Sequence, residues 1–136
     1  MPDAPTSPLD AALARVGDRW SLLVVEALLG GPRRYNELLA AIPGLASNVL
    51  SQRLKRLEQE AVIVARPYSE RPPRFTYELT EAGAELAGAL RLLSRWGGAG
   101  GGPRHAACGA ALEARWHCPT CARIVDDPEG EDLDYA

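Results

Sequence analysis

Residues 35–61 read YNELLAAIPGLASNVLSQRLKRLEQEA. Pro43 and Gly44 cut this stretch in two, because proline does not continue a helix and glycine accepts the angles of a tight turn. The piece before the cut, YNELLAAI, is a short helix. In the piece after it, ASNVLSQRLKRLEQEA, Leu50, Leu54 and Leu57 recur at helical spacing and make a narrow core stripe. Ser47, Asn48, Ser51, Gln52 and Lys55 fall around the other side. Two helices joined by so short a turn predict a helix-turn-helix.

Upstream, Ser7 is placed to cap a first helix, Pro8 suits its first position and Asp10 its positive end. Leu9, Leu13, Val16 and Trp20 recur at helical spacing, with an interruption at Gly17. WSLLVVEALLGGPRR (20–34) is apolar nearly all round, as a central helix is, and stops at Gly30, Gly31 and Pro32. Downstream, AVIVARPY (61–68) and RFTYELT (74–80) flank SERPP (69–73). The first run is rich in β-branched residues. The second alternates, with Phe75, Tyr77 and Leu79 on one face and Arg74, Thr76 and Glu78 on the other. The two predict a hairpin with a proline-stiffened, arginine-bearing tip. Thr80 then caps a last helix, EAGAELAGALRLLSRW (81–96), whose Leu86, Leu90, Leu93 and Trp96 share a stripe. This order predicts a winged helix: mainly α, with a β-hairpin wing, over residues 7–97.

A chain of 136 residues suits one domain with a small appendage, and no run of about 18 apolar residues predicts a membrane span. The opening MPDAPTSPLD lacks the plan of a secretory signal, so a reducing cytoplasm is the expected compartment. Net charge is −3, yet residues 1–97 hold 12 basic against 11 acidic residues, and residues 98–136 hold 3 against 7. Residues 53–74 hold six bases against three acids. Local charge steers toward phosphates even where the total does not.

In a helix-turn-helix the second helix enters the major groove. Ser47, Asn48, Ser51 and Gln52 have the chemistry to meet base edges there, asparagine and glutamine by paired hydrogen bonds to adenine. Arg53, Lys55 and Arg56 suit phosphates, which position a protein without reading sequence. Arg71 and Arg74 at the hairpin tip suit a neighbouring minor groove or its phosphates. For any one of these residues a solvated surface explains as much; the whole set in this order points to double-stranded DNA.

The segment VGDRWSLLVVEALLGGPRRYNELLAAIPGLASNVLSQRLKRLEQEAVI (16–63), continued by PPRFTYELTEAGAEL (72–86), resembles the HxlR-type winged-helix transcription regulators of bacteria, within the MarR-like superfamily. The resemblance rests on Gly17–Trp20, GPRRY at 31–35, the IPG turn at 42–44 and PPRxxYxLT at 72–80. It implies a homodimer whose terminal helices form the interface, with Leu86, Leu90, Leu93 and Trp96 as the seam. It also implies two reading helices on a roughly palindromic operator. An effector, a small molecule or an oxidant, is left open. Three positions depart from the family. Ser7 stands where many members carry a cysteine, which some use to sense oxidants or electrophiles. Ala46 replaces the serine that usually caps the reading helix, which makes Ser47 an alternative cap. Ala61 replaces a glycine before the first wing strand.

HAACGAALEARWHCPTC (105–121) holds every cysteine of the chain, Cys108, Cys118 and Cys121. His105-x-x-Cys108 and Cys118-x-x-Cys121 form two pairs with the spacing of a closed, tetrahedral Cys₃His zinc site, which is structural because no position remains for water. Alternation along 112–118 puts His117 on the face opposite Cys118, which favours His105 as fourth ligand and leaves His117 open. A thioredoxin-type dithiol at 118–121 requires a following helix, and ARIVDDPEGE has no helical period. Inert buried thiols are the remaining alternative. On this reading a Gly-rich linker (98–104) leads to a zinc-ribbon-like module (105–125). The stretch 126–136, with six acids and no base, is an expected disordered tail.

No phosphate loop, nucleophile–base pair or open metal site argues for an enzyme. The leading expectation is a DNA-binding regulator. The alternative is an interaction adaptor that docks a partner through the ribbon.

Overall fold

A computed structural model describes residues 4–98 and 100–125. The chain forms two compact units, Met1–Leu90 and Arg91–Ala136. The predicted acidic tail, 126–136, lies outside the described residues, as does Ala99 of the linker.

The first unit opens with α1 (Pro8–Val16), where Ser7 Oγ accepts the Asp10 N–H at 3.0 Å and Pro8 occupies the first turn. The helix stops at Gly17, as its sequence predicts. α2 (Arg19–Leu28) begins under Asp18, and its Val24, Val25 and Leu28 are buried at the centre of the core. After β1 (Arg33–Arg34), α3 (Tyr35–Ala41) and α4 (Ser47–Gln59) make the helix-turn-helix. Leu50, Leu54 and Leu57 of α4 join Leu38 of α3 and the α2 valines in one buried cluster. Each such leucine stabilises the fold by about 1.5–3 kcal/mol relative to exposure. β2 (Ile63–Glu70) and β3 (Pro73–Leu79) form the wing.

Three features differ from the sequence-based expectation. The sheet has a third strand: β1 pairs antiparallel with β3, with Arg33 opposite Tyr77 and Arg34 opposite Thr76, in the order β1-β3-β2. Two residues are too few to carry an alternating pattern, so β1 had no signal of its own. The wing strands also lie nearer the tip than predicted, β2 by two residues and β3 by one, leaving only Arg71 and Pro72 between them, and the register shifts between Pro67 and Ser69 so that Tyr68 is the extra residue of a bulge.

The last helix is broken, with α5 (Glu81–Ala84) separated from α6 (Ala87–Gly97). Thr80 caps α5 as predicted, its Oγ1 accepting the Gly83 N–H at 3.0 Å. It is also tied to the chain before β2: Thr80 N–H donates to the Val62 carbonyl at 3.0 Å and its hydroxyl to that of Ala61 at 2.6 Å. These bonds dictate the direction of the first turn. The chain then tightens, Leu86 N–H reaching back only to the Gly83 carbonyl at 3.1 Å, before α6 resumes.

Ala61 ends α4 with φ 57°. Its N–H donates to Glu58 O at 3.0 Å and Val62 N–H to Leu57 O at 2.9 Å, the paired bonds of a Schellman cap. Ala61 therefore holds a left-handed conformation although a Cβ is present. That conformation costs a non-glycine residue about 1–2 kcal/mol, partly offset by the lower unfolded-state entropy of alanine. Ala61→Gly is expected to stabilise the unit by about 0.5–1 kcal/mol, read as a higher urea midpoint at unchanged slope.

In the second unit β4 (Trp116–Cys118) pairs antiparallel with β5 (Arg123–Val125), and Arg104 bridges Ala111. No helix among the described residues is long and apolar enough to cross a membrane.

Candidate nucleic-acid interface

The leucine stripe of α4 faces the core, so its opposite side is the surface the chain presents. Asn48, Gln52 and Lys55 stand four and three residues apart on that side, all exposed. Among the described residues their side chains make no intramolecular hydrogen bond or ion pair, which leaves every donor and acceptor available to a ligand. Ala46 occupies the N-cap without a side-chain bond, and Ser47 is the first helical residue, so Ser47 is not the cap.

The other predicted contacts on α4 are partly or wholly engaged within the chain. Tyr35 Oη donates to the Ser47 carbonyl at 2.6 Å and lies 3.1 Å from Ser51 Oγ, which itself donates to the same carbonyl at 3.1 Å. Ser51 is exposed but held. Arg53 Nε donates to Asp18 Oδ1 at 2.9 Å, with the two side chains only 31% and 35% exposed. The Arg56 guanidinium donates to the Ala14 carbonyl. Arg53 and Arg56 are thus turned toward the α1–α2 junction, where the sequence reading had them facing phosphate. The reason is a carboxylate and an unpaired helix-end carbonyl within reach, which sequence spacing does not reveal.

Asp18 caps α2, accepting Ser21 N–H at 3.0 Å and Ser21 Oγ–H at 2.6 Å, and Ser21 is fully buried. Partial burial pushes the Asp18 carboxyl up. The hydrogen bonds from Ser21 and Arg53 outweigh it and hold the group below its ordinary value.

At the wing, Arg71 and Arg74 are exposed. Arg74 lines a cleft of about 550 Å³ together with Arg34, Tyr35, Asn36, Glu37 and Tyr68. The Arg34 guanidinium stacks 4.6 Å over the Tyr68 ring. Arg34 and Tyr68 were not among the sequence candidates. Arg34 reaches this place through β1 and Tyr68 through the bulge, and neither element has a sequence pattern of its own.

The predicted dimer stripe is split. Leu90 is 7% exposed and belongs to the core of the first unit, with Leu86 half-buried against that core. Leu93 and Trp96 are exposed, at 53% and 87%, and so are Leu9 and Leu13 of α1.

In the second unit the predicted ligands lie in two turns. His105 Nδ1 is 3.4 Å from Cys108 Sγ, and the Cys121 N–H donates to Cys118 Sγ at 3.4 Å. That backbone bond first, then the Cys121 side chain and the Thr120 N–H, draw the Cys118 thiol below its ordinary value. The residue after the second member of each pair, Cys108 and Cys121, has positive φ, Gly109 at 72° and Ala122 at 53°. Among the described residues no group of three or more His, Cys, Asp or Glu side chains comes together to hold a metal.

A helix-turn-helix with an open polar face on its second helix and an arginine-bearing wing beside it defines a class, the winged-helix DNA-binding regulators. The family model for the HxlR-like helix-turn-helix matches residues 15–104. The chain belongs to that family and is a helix-turn-helix transcriptional regulator, not an enzyme. The uncharacterized HTH-type transcriptional regulator YvaP of Bacillus subtilis is 41% identical over 87 residues, spanning 64% of this chain and 81% of the relative. The uncharacterized HTH-type transcriptional regulator Mb3122 of Mycobacterium bovis is 36% identical over 122 residues, spanning 84% of this chain and 77% of the relative. Among solved structures, the reduced form of the B. subtilis transcriptional regulator YodB matches at TM-score 0.58 and 30% identity, over 70% of this chain and 91% of that one.

Proposed function

We propose that the chain is a sequence-specific regulator that binds double-stranded DNA in the cytoplasm as a homodimer. Asn48 and Gln52 read base edges in the major groove, with Ser47 and Ser51 beside them and Lys55 on phosphate. Arg71, Arg74 and Arg34 hold the flanking backbone or minor groove. The observation that carries this reading is the exposed, uncommitted row Asn48, Gln52 and Lys55 on α4, beside a basic wing. Two heads related by a twofold axis would read half-sites about 34 Å apart. The exposed apolar side chains Leu9, Leu13, Leu93 and Trp96 on the terminal helices support self-association.

The second unit is read as fastened by one structural zinc ion on His105, Cys108, Cys118 and Cys121. Two ligand pairs on two turns, three thiols and one imidazole, fit the donor set of a closed zinc site. His117 pairs with Ile124 across the β4–β5 ladder, one position from Cys118 and so on the opposite face, which favours His105 as the fourth ligand. Zinc there supplies a cross-link and no reaction chemistry.

The test is a fluorescence-anisotropy titration against a duplex enriched by the wild-type chain from a randomised pool, and against a scrambled duplex, at two salt concentrations. Tighter, salt-sensitive binding of the enriched duplex is expected. Absence of any duplex binding would leave the adaptor reading in its place. Gln52→Ala should weaken the enriched duplex by about 1–3 kcal/mol and the scrambled one little. Arg71→Ala should weaken both and lower the salt slope by about one. Equal effects of the two changes would undo this division of roles.

A further inference from the structure

We infer that Arg53 is a positioning residue, paired with Asp18 to orient the reading helix α4 on α2, and not a phosphate contact. This role rests on the DNA-reading function just proposed.

The leucine stripe buries one side of α4, but hydrophobic contact is non-directional and leaves rotation about the helix axis weakly specified. A directional bond is needed to set where Asn48 and Gln52 point. Asp18 is suited to provide it, because both its oxygens are already held on α2, one by Ser21 N–H at 3.0 Å and the other by Ser21 Oγ at 2.6 Å. The carboxylate is therefore a fixed point, and Arg53 reaches it from the neighbouring helix at 2.9 Å. A guanidinium that swung out to a phosphate would give up this charge-assisted bond. Two further links lie at the same junction: Arg56 to the Ala14 carbonyl, and Arg15 of α1 to Glu60 just past α4, Nε to Oε2 at 2.9 Å and a guanidinium N–H to the Glu60 carbonyl at 2.8 Å. All three arginines strap α4 to the α1–α2 junction.

A phosphate contact and a positioning contact leave different traces in binding. Removing a phosphate contact weakens all duplexes alike and lowers the salt slope by about one. Removing a positioning contact misaims the base readers, so it lowers the ratio of enriched to scrambled duplex affinity at constant slope. Full-length Arg53→Gln, Asp18→Asn, the double variant and, as a phosphate control, Lys55→Gln would be titrated against both duplexes at several salt concentrations. Asparagine caps a helix about as well as aspartate, so Asp18→Asn keeps α2 capped and tests the link in a folded chain even where Arg53→Gln melts.

The expected result is a roughly 2- to 30-fold fall in the affinity ratio for each single variant. The double variant should fall no further, the slope should hold in all three, and the slope should drop in Lys55→Gln. A slope reduced by about one in Arg53→Gln would make Arg53 a phosphate contact and overturn the inference. An unchanged ratio in Asp18→Asn would overturn it equally. A wild-type chain that binds no duplex would overturn the function and this role together, whereas the other two failures leave the function standing.

Discussion

Gly83→Ala is expected to cost the first unit about 3 kcal/mol, although alanine is the better helix former. A Cβ at this position would lie 2.0 Å from the Val62 carbonyl oxygen and 3.0 Å from its carbon. That oxygen cannot move aside cheaply, because it already accepts the Thr80 N–H at 3.0 Å and lies 3.1 Å from the Thr80 hydroxyl. Relief requires shifting α5 or the chain entering β2, and either shift loosens the tie between wing and last helices. Against this, the gain in helix propensity is at most about 1 kcal/mol, so the clash wins. Gly88 supplies the control, since nothing lies within 4 Å of a Cβ built there. Gly88→Ala should be stabilising by up to about 1 kcal/mol. Urea unfolding of both variants decides the matter, and two shifts of the same sign would show that the close approach at Gly83 is not real.

The same contact explains where the sequence was legible and where it was not. The leucines of α4, the cap at Ser7, the stop at Gly17 and the cap at Thr80 were readable because each depends on neighbours within one or two turns. The break between α5 and α6 was not. It arises from a carbonyl about twenty residues away that pins the first turn, and EAGAELAGALRLLSRW shows an unbroken helical period. Arg53 follows the same rule. Its spacing on α4 matches a DNA contact as well as Lys55 does, and only the tertiary approach of Asp18 separates the two. Leu90 carried the pattern of a seam and is buried within its own unit for the same reason. The exposure of Asn48, Gln52 and Lys55 was legible because a helix with one apolar stripe leaves the opposite face exposed.

Cys118→Ser is expected to abolish zinc binding, taking the content of purified chain from about one ion to none, because a closed site needs all four ligands. Structural zinc contributes on the order of 10 kcal/mol in small modules, more than a unit of this size can replace from its own packing. The packing available is slight: the large apolar side chains Leu112, Trp116 and Ile124 are exposed. Loss of the ion should therefore unfold the β4–β5 ladder, seen as amide protons of 116–118 and 123–125 that exchange at the rate of free peptide. The first unit has its own buried core and should keep its thermal transition, so helical circular dichroism serves as an internal control. His105→Ala should behave as Cys118→Ser does, and His117→Ala should retain the ion. The reverse order would make His117 the ligand. Zinc content unchanged in Cys118→Ser would remove the metal from the proposed function and leave the two cysteine turns held by their own hydrogen bonds, with no consequence for the face proposed to read DNA on α4.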